Sequence, residues 1–114
     1  MSQFIQEFES ADDVIKKYTA PDDALTDATI HLAWYGYGNY CGSSFVLFEK
    51  GGKLFEVNGS HCSCFGLEDQ WEPEETSWAA LGMRNLTGEC DGSSEAHDAL
   101  CALVAKFGTV EVQA

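Results

Sequence analysis

The chain has 114 residues, enough for one domain with a single modest core, and its 45% hydrophobic content excludes an acidic disordered tail. Its 19 acidic and 6 basic residues give a formal net charge of −13. Because phosphate binding relies on clustered lysine and arginine, this charge excludes nucleic acid as a direct ligand and argues against an anionic membrane surface. We expect one domain over residues 1–114 whose electrostatic complement is a basic protein surface. The alternative is that the charge only keeps the protein in solution.

The first predicted helix covers residues 11–18. Ser10, with Asp13 three residues later, resembles a capping box, which marks a helix start. Tyr18 would face the core from the last turn of this helix. The preceding residues, 3–8, fit either a helical turn or an edge strand.

The centre of the predicted sheet is a hairpin over residues 45–58. Two apolar runs flank the Gly51–Gly52 pair, which can take the positive φ angles that a tight turn needs. Phe45 and Phe55 would lie on the face opposite the main core. A preceding strand is predicted over residues 28–35, where large apolar side chains occupy every second position. The side chains predicted to be buried on one face are Ile30, Leu32 and Trp34.

Residues 36–44 are predicted to form a loop, because they carry three glycines among aromatic and small polar residues. Two tyrosines in this segment, Tyr37 and Tyr40, would be exposed and suited to contact with a partner protein. After the hairpin, Ser60–Cys64 is a candidate fourth strand.

Two more helices are predicted in the second half of the chain, near residues 76–84 and 94–107. Gly108 is expected to end the last helix, and residues 109–112 to add a short edge strand. The predicted fold is therefore α+β, with a small antiparallel sheet of three to four strands packed against about three helices. The predicted core comprises Ile30, Leu32, Trp34, Val46, Phe48, Leu54, Val57, Leu100, Leu103 and Val104.

An acidic run around Trp71 is the candidate binding site. Carboxylates beside an exposed aromatic ring can imitate a phosphate backbone and give an anchor for a basic groove. The alternative is that Trp71 fills the core while the acids are simply solvated. The predicted partner-binding residues are Glu68, Asp69, Trp71, Glu72, Glu74, Glu75, Tyr37 and Tyr40.

Four residues raise the alternative of a zinc- or thiol-dependent domain: Cys41, His61, Cys62 and Cys64. Thiolate and imidazole are zinc ligands, but the single residue between Cys62 and Cys64 is a poor spacing for a zinc motif. On a strand, these two cysteines would share a face while His61 points the other way. A catalytic thiolate is favoured by positive surroundings, which this chain lacks. We therefore predict no metal, no cofactor and no catalytic residue.

A resemblance to a known family is carried by residues 52–77, GKLFEVNGSHCSCFGLEDQWEPEETS. This segment resembles small acidic, mostly uncharacterised proteins encoded by bacterial viruses and prophages, which tend to have tyrosine where Phe65 stands and glycine where Asp69 stands. The resemblance implies an accessory protein acting in the bacterial cytoplasm. Such proteins often inhibit host defence, including CRISPR surveillance complexes, by occupying nucleic-acid-binding surfaces. The function expected from it is a non-enzymatic inhibitor that binds a basic surface of a host complex.

Overall fold

The computed structural model describes residues 3–6, 8–38, 41–61, 66–68, 70–83 and 95–113, without the side chains of 3, 6, 37, 38, 41 and 108–113. These residues form an α+β fold, as the sequence predicts. Its elements in chain order are β1 (Gln3–Gln6), α1 (Ala11–Tyr18), β2 (Thr29–Gly38), β3 (Cys41–Lys50), β4 (Lys53–His61), β5 (Glu74–Glu75), α2 (Trp78–Leu81) and α3 (Glu95–Gln113).

The described strands make one mixed sheet with the order β1-β2-β3-β4-β5. β1 runs parallel to β2, to which it is connected through α1, and every other neighbouring pair is antiparallel. The predicted number of three to four strands is therefore wrong, and the predicted antiparallel direction holds for every described pair except β1–β2. The two extra strands are the edges. β1 confirms the edge-strand alternative for residues 3–8, whereas β5 has two residues and therefore too little alternation to be recognised in a sequence.

The predicted hairpin over residues 45–58 is confirmed as the β3–β4 pair. Lys50 pairs with Lys53 across the turn, and the φ angles of Gly51 and Gly52 are +61° and +79°. Positive φ at both central residues is the requirement of the two-residue turn whose twist matches that of the flanking strands. Ser60 and His61 are the last residues of β4, so the predicted separate strand Ser60–Cys64 is wrong at its start, and Cys62–Cys64 lie outside the described residues.

The predicted loop over residues 36–44 is wrong for residues 36–38 and 41–44, which belong to β2 and β3; residues 39 and 40 lie outside the described residues. Gly38 pairs with Cys41, so the connection is a second hairpin. A Cβ atom at Gly42 would overlap the imidazole of His61 and come within 2.9 Å of the Tyr35 ring. This glycine therefore permits close side-chain packing on a strand, a role that is indistinguishable from loop flexibility in the sequence.

A β-bulge in β2 changes which side chains share a face. Ile30 pairs with Phe48, whereas Leu32 pairs with Leu47, so His31 is the extra residue. The bulge reverses the alternation and places Ile30 on the opposite side of the sheet from Leu32. The prediction that Ile30, Leu32 and Trp34 share one face is therefore wrong for Ile30.

Helices cover both sides of the sheet. The α1 face is covered by α1, and its buried cluster comprises Phe8, Val14, Tyr18, Ile30, Ala33, Val46, Phe48, Val57 and Leu67. The α3 face is covered by α2 and α3, and its buried cluster comprises Ile5, Leu32, Trp34, Phe45, Leu47, Leu81, Ala96, Leu100 and Leu103. The central strands are therefore buried on two sides.

The predicted core is confirmed with small differences. Leu54 and Val104 are half-buried, and all the other predicted core residues are buried. Phe45 is buried on the α3 face, whereas Phe55 is half-buried on the α1 face, where it stacks on Phe48. The prediction that Phe45 and Phe55 share a face is therefore wrong.

The helix starts agree with the sequence better than the ends do. The Oγ of Ser10 accepts a hydrogen bond from the Asp13 backbone N–H at 3.3 Å, which caps α1 as predicted. Ser77 caps α2 in the same way through the N–H of Ala80 at 3.2 Å. In α2 only Trp78–Leu81 are helical, so the predicted helix over 76–84 is too long.

The last helix, α3, continues past Gly108 to Gln113, so the predicted stop and the predicted strand over 109–112 are wrong. One internal glycine costs a helix only about 1 kcal/mol, which is not enough to end it. Among the described residues, none of the helices is long and apolar enough to span a membrane.

Candidate functional site

The predicted acidic run forms a segment that crosses from the α1 face to the edge of the sheet. We call residues 66–76 the acidic strap; residue 69 lies outside the described residues. The strap begins beyond the end of β4 and includes β5, which pairs with Phe55 and Glu56. The N–H of Thr76 donates to the carbonyl of Leu54 at 2.8 Å and closes this end of the strap.

The inner side of the strap is apolar. Leu67 is 1% exposed and belongs to the cluster on the α1 face. Trp71 is half-buried: its ring stacks on Phe48 at 5.8 Å with an interplanar angle of 10°, and it meets Tyr18 edge-on at 5.3 Å. Trp71 therefore attaches the strap to the core, the role that the sequence left as its alternative.

Hydrogen bonds fix the backbone of the strap. The side-chain oxygen of Gln70 accepts from the N–H of Ser60 at 2.9 Å, and its amide nitrogen donates to the carbonyl of Gly66 at 3.0 Å. The Glu68 carboxylate accepts from the N–H of Gly66 at 2.8 Å, and the N–H of Gln70 donates to the carbonyl of Leu67 at 3.1 Å. These bonds hold the first part of the strap, between Gly66 and Gln70.

The outer side of the strap presents carboxylates to solvent. The exposed acids are Glu68, Glu72, Glu74 and Glu75. Lys53 lies 4.0 Å from the Glu75 carboxylate, and both side chains are 63% exposed, so this pair contributes little stability. Lys53 is the one lysine that contacts the strap among the described residues. The negative charge of the strap is therefore largely uncompensated.

The structure brings the predicted acids Glu68, Glu72, Glu74 and Glu75 together with Trp71 in the acidic strap. The other predicted site residues are described only in part or not at all. Asp69 and Tyr40 lie outside the described residues. The backbone of Tyr37 is part of β2 and pairs with Gly42, while its side chain is not described. The sequence missed Gln70, because its importance depends on a contact with Ser60 that appears only when the chain folds.

His61, one of the predicted alternative zinc ligands, contacts a tyrosine. Its Nε2 lies 2.6 Å from the Tyr35 hydroxyl. In the part of the chain that the structure describes, no three potential ligands come together as a metal site. Cys62 and Cys64 fall outside that part, so the zinc- or thiol-dependent alternative stays a prediction.

Cys101 and His97 make a thiol–imidazole contact on α3. Sγ and Nε2 are 3.7 Å apart, and the thiol is exposed. Residues four apart on a helix are neighbours whatever their role. We assign this pair no catalytic function.

A buried polar chain links α1 to the sheet on the α1 face. The Tyr18 hydroxyl donates to Ser44 Oγ at 2.7 Å, and Ser44 donates to the carbonyl of Trp34 at 2.9 Å. Burial raises the pKa of Tyr18 to about 12, while the hydrogen bond with Ser44 acts in the opposite direction and the neighbouring Tyr35 adds to the rise. These two hydrogen bonds therefore hold α1 in place as long as the Tyr18 hydroxyl stays protonated.

This pKa gives an expected pH dependence of stability. In the unfolded chain Tyr18 ionises near its ordinary pKa of 10.0, whereas in the folded chain it does so near 12. The stability tied to the protonated form is fully present below pH 10 and is lost as the pH rises towards 12, at up to about 1.4 kcal/mol per pH unit. Urea unfolding across this range should show a smaller fall in the free energy of unfolding for Tyr18→Phe than for the wild type. An equal fall in both proteins would show that another group controls the alkaline transition.

Comparison with known proteins finds no relative for this chain: no family model, no curated protein and no solved structure matches it. The resemblance of residues 52–77 to proteins of bacterial viruses therefore stays a prediction.

Proposed function

We propose that this protein is a non-enzymatic inhibitor that binds a basic surface of a host nucleic-acid-processing or defence complex and acts there as a nucleic-acid mimic. The observation that supports this proposal is the acidic strap, whose exposed carboxylates sit on a backbone held by Leu67, Gln70 and Trp71. The resemblance carried by residues 52–77 supports the further proposal that this is a phage-type accessory protein that acts in the bacterial cytoplasm.

Electrostatics supplies the reason for a basic partner. The net charge of −13 attracts a cationic surface over long range and speeds association. Each exposed carboxylate contributes little alone, so recognition depends on several acting together. A basic groove that binds nucleic acid already carries the lysine and arginine side chains that such carboxylates require.

Aromatic residues have two roles in the proposal. Trp71 supports the strap through Phe48 and Tyr18, and the accessible part of its ring is also a candidate contact. Tyr37 and Tyr40 are the other proposed anchors, each worth about 2 kcal/mol or more if its ring is buried in the interface.

The experiment that tests the proposal begins with affinity capture from a bacterial lysate and identification of the partner by mass spectrometry. We expect a partner that itself binds nucleic acid. Capture should weaken when ionic strength is raised from about 0.1 M to about 1 M, because the screening length falls from about 10 Å to about 3 Å. A partner retained equally at both salt concentrations would contradict the electrostatic basis of the proposal.

A further inference from the structure

Among the described residues, the amide of Gln70 ties the acidic strap to the end of β4. β5 pairs with β4 only at Phe55 and Glu56, so β4 continues towards His61 beyond the end of that pairing. At Ser60, the backbone N–H donates to the side-chain oxygen of Gln70 instead of to a strand. The Gln70 amide thus takes the place that a peptide group of β5 would occupy.

The same amide also makes a hydrogen bond within the strap, through its nitrogen. Its nitrogen donates to the carbonyl of Gly66, at the start of the described part of the strap. A primary amide supplies both a donor and an acceptor, so one side chain can join two backbone segments. Gln70 therefore fixes the first turn of the strap relative to the end of β4.

We infer that Gln70 is the positioning residue of the proposed docking surface: its amide joins Ser60 to Gly66 and so presents the carboxylates of the strap in one arrangement. This inference rests on the proposed function, since the surface that Gln70 orders is the one assigned to the partner. A strap that is ordered beforehand binds more tightly, because less conformational entropy is lost on association.

The strap is held by apolar contacts with the core as well as by the Gln70 amide. The effect of Gln70 on the position of the strap can therefore be distinguished from an effect on folding. Leu67 and Trp71, on either side of Gln70 in the sequence, make apolar contacts that do not involve the amide, and we expect these contacts to remain when the amide is removed. Loss of the amide should therefore loosen the polar side of the strap while the sheet and both cores remain intact. The effect should appear in local opening and in binding, and less in global unfolding.

The test compares Gln70→Ala with Ser10→Ala, a matched control. Neither change alters the net charge, and Ser10→Ala removes the cap of α1, a side chain to backbone hydrogen bond away from the strap. Amide hydrogen exchange at Ser60, measured by NMR, should become about tenfold faster in Gln70→Ala, since the bond that protects it is gone. Gln70→Glu keeps the acceptor for Ser60 and should restore most of this protection.

Binding is measured with a fluorescent oligo-lysine peptide at low salt. Gln70→Ala should weaken the affinity about threefold, whereas Ser10→Ala should leave it unchanged. If exchange at Ser60 is the same in Gln70→Ala as in the wild type, or if both variants lose affinity equally, the inference is wrong. If the wild-type chain does not bind the peptide, the proposed function fails, and the exchange of Ser60 alone decides whether Gln70 positions the strap.

Discussion

A variant with lysine at Glu72, Glu74 and Glu75 is expected to lose at least about tenfold in affinity for the basic partner. These three side chains are exposed on the acidic strap, and the contact of Glu75 with Lys53 is a weak one between exposed groups. Each reversal adds two charges, so the net charge changes from −13 to −7. Glu68 is left intact because its carboxylate accepts the N–H of Gly66.

The matched control for this variant carries lysine at Asp12, Asp22 and Asp23, which are exposed acids of α1 and of the turn that follows it. Its net charge is the same, so the comparison separates the position of the charge from its total. Binding to the captured partner is measured at low and high salt, and thermal unfolding checks that both variants stay folded. Equal affinities of the two variants would mean that only the total charge matters and that the strap is not the docking surface.

Replacing Trp71 with alanine is expected to lower the free energy of unfolding by about 2–4 kcal/mol. The ring stacks on Phe48 and meets Tyr18 edge-on, so its removal leaves a gap between the strap and the α1 face. Trp71→Phe should recover part of the loss, because a smaller ring can keep the stacking. The measurement is urea unfolding followed by far-ultraviolet circular dichroism.

Trp78 provides the control for this prediction. It is also half-buried, but it stacks on Phe107 on the α3 face, away from the strap. Both alanine variants should lose stability, whereas only Trp71→Ala should speed hydrogen exchange at Ser60. A Trp71→Ala variant with wild-type stability would show that the ring is not packed and would return it to the role of an exposed anchor.

The parts of the fold that the sequence predicts well are those coded by local interactions. Gly51–Gly52 need positive φ at the turn, and Ser10 caps a helix through its own neighbours, so both signals lie within a few residues. The acidic run can also be read from the sequence, because its residues lie close together in the chain. These features identify the hairpin, α1 and the charged side of the strap.

The parts that the sequence does not predict depend on contacts between distant residues. The bulge at His31 is set by pairing with β3, and it alone decides that Ile30 and Leu32 face opposite ways. Tyr18 and Ser44 are 26 residues apart, and Gln70 reaches Ser60 across 10 residues. Alternation and capping signals carry no information about such pairs, so the order of the strap becomes apparent only in the fold.

The most direct test of the proposed mimicry is competition between this chain and double-stranded DNA for the captured partner. Labelled DNA is bound to the partner and then titrated with the wild-type chain, with the three-lysine strap variant and with its matched control. We expect the wild type and the control to displace the DNA, and the strap variant to require at least about tenfold more protein. A ternary complex, in which the DNA stays bound while the wild-type chain saturates the partner, would contradict the account.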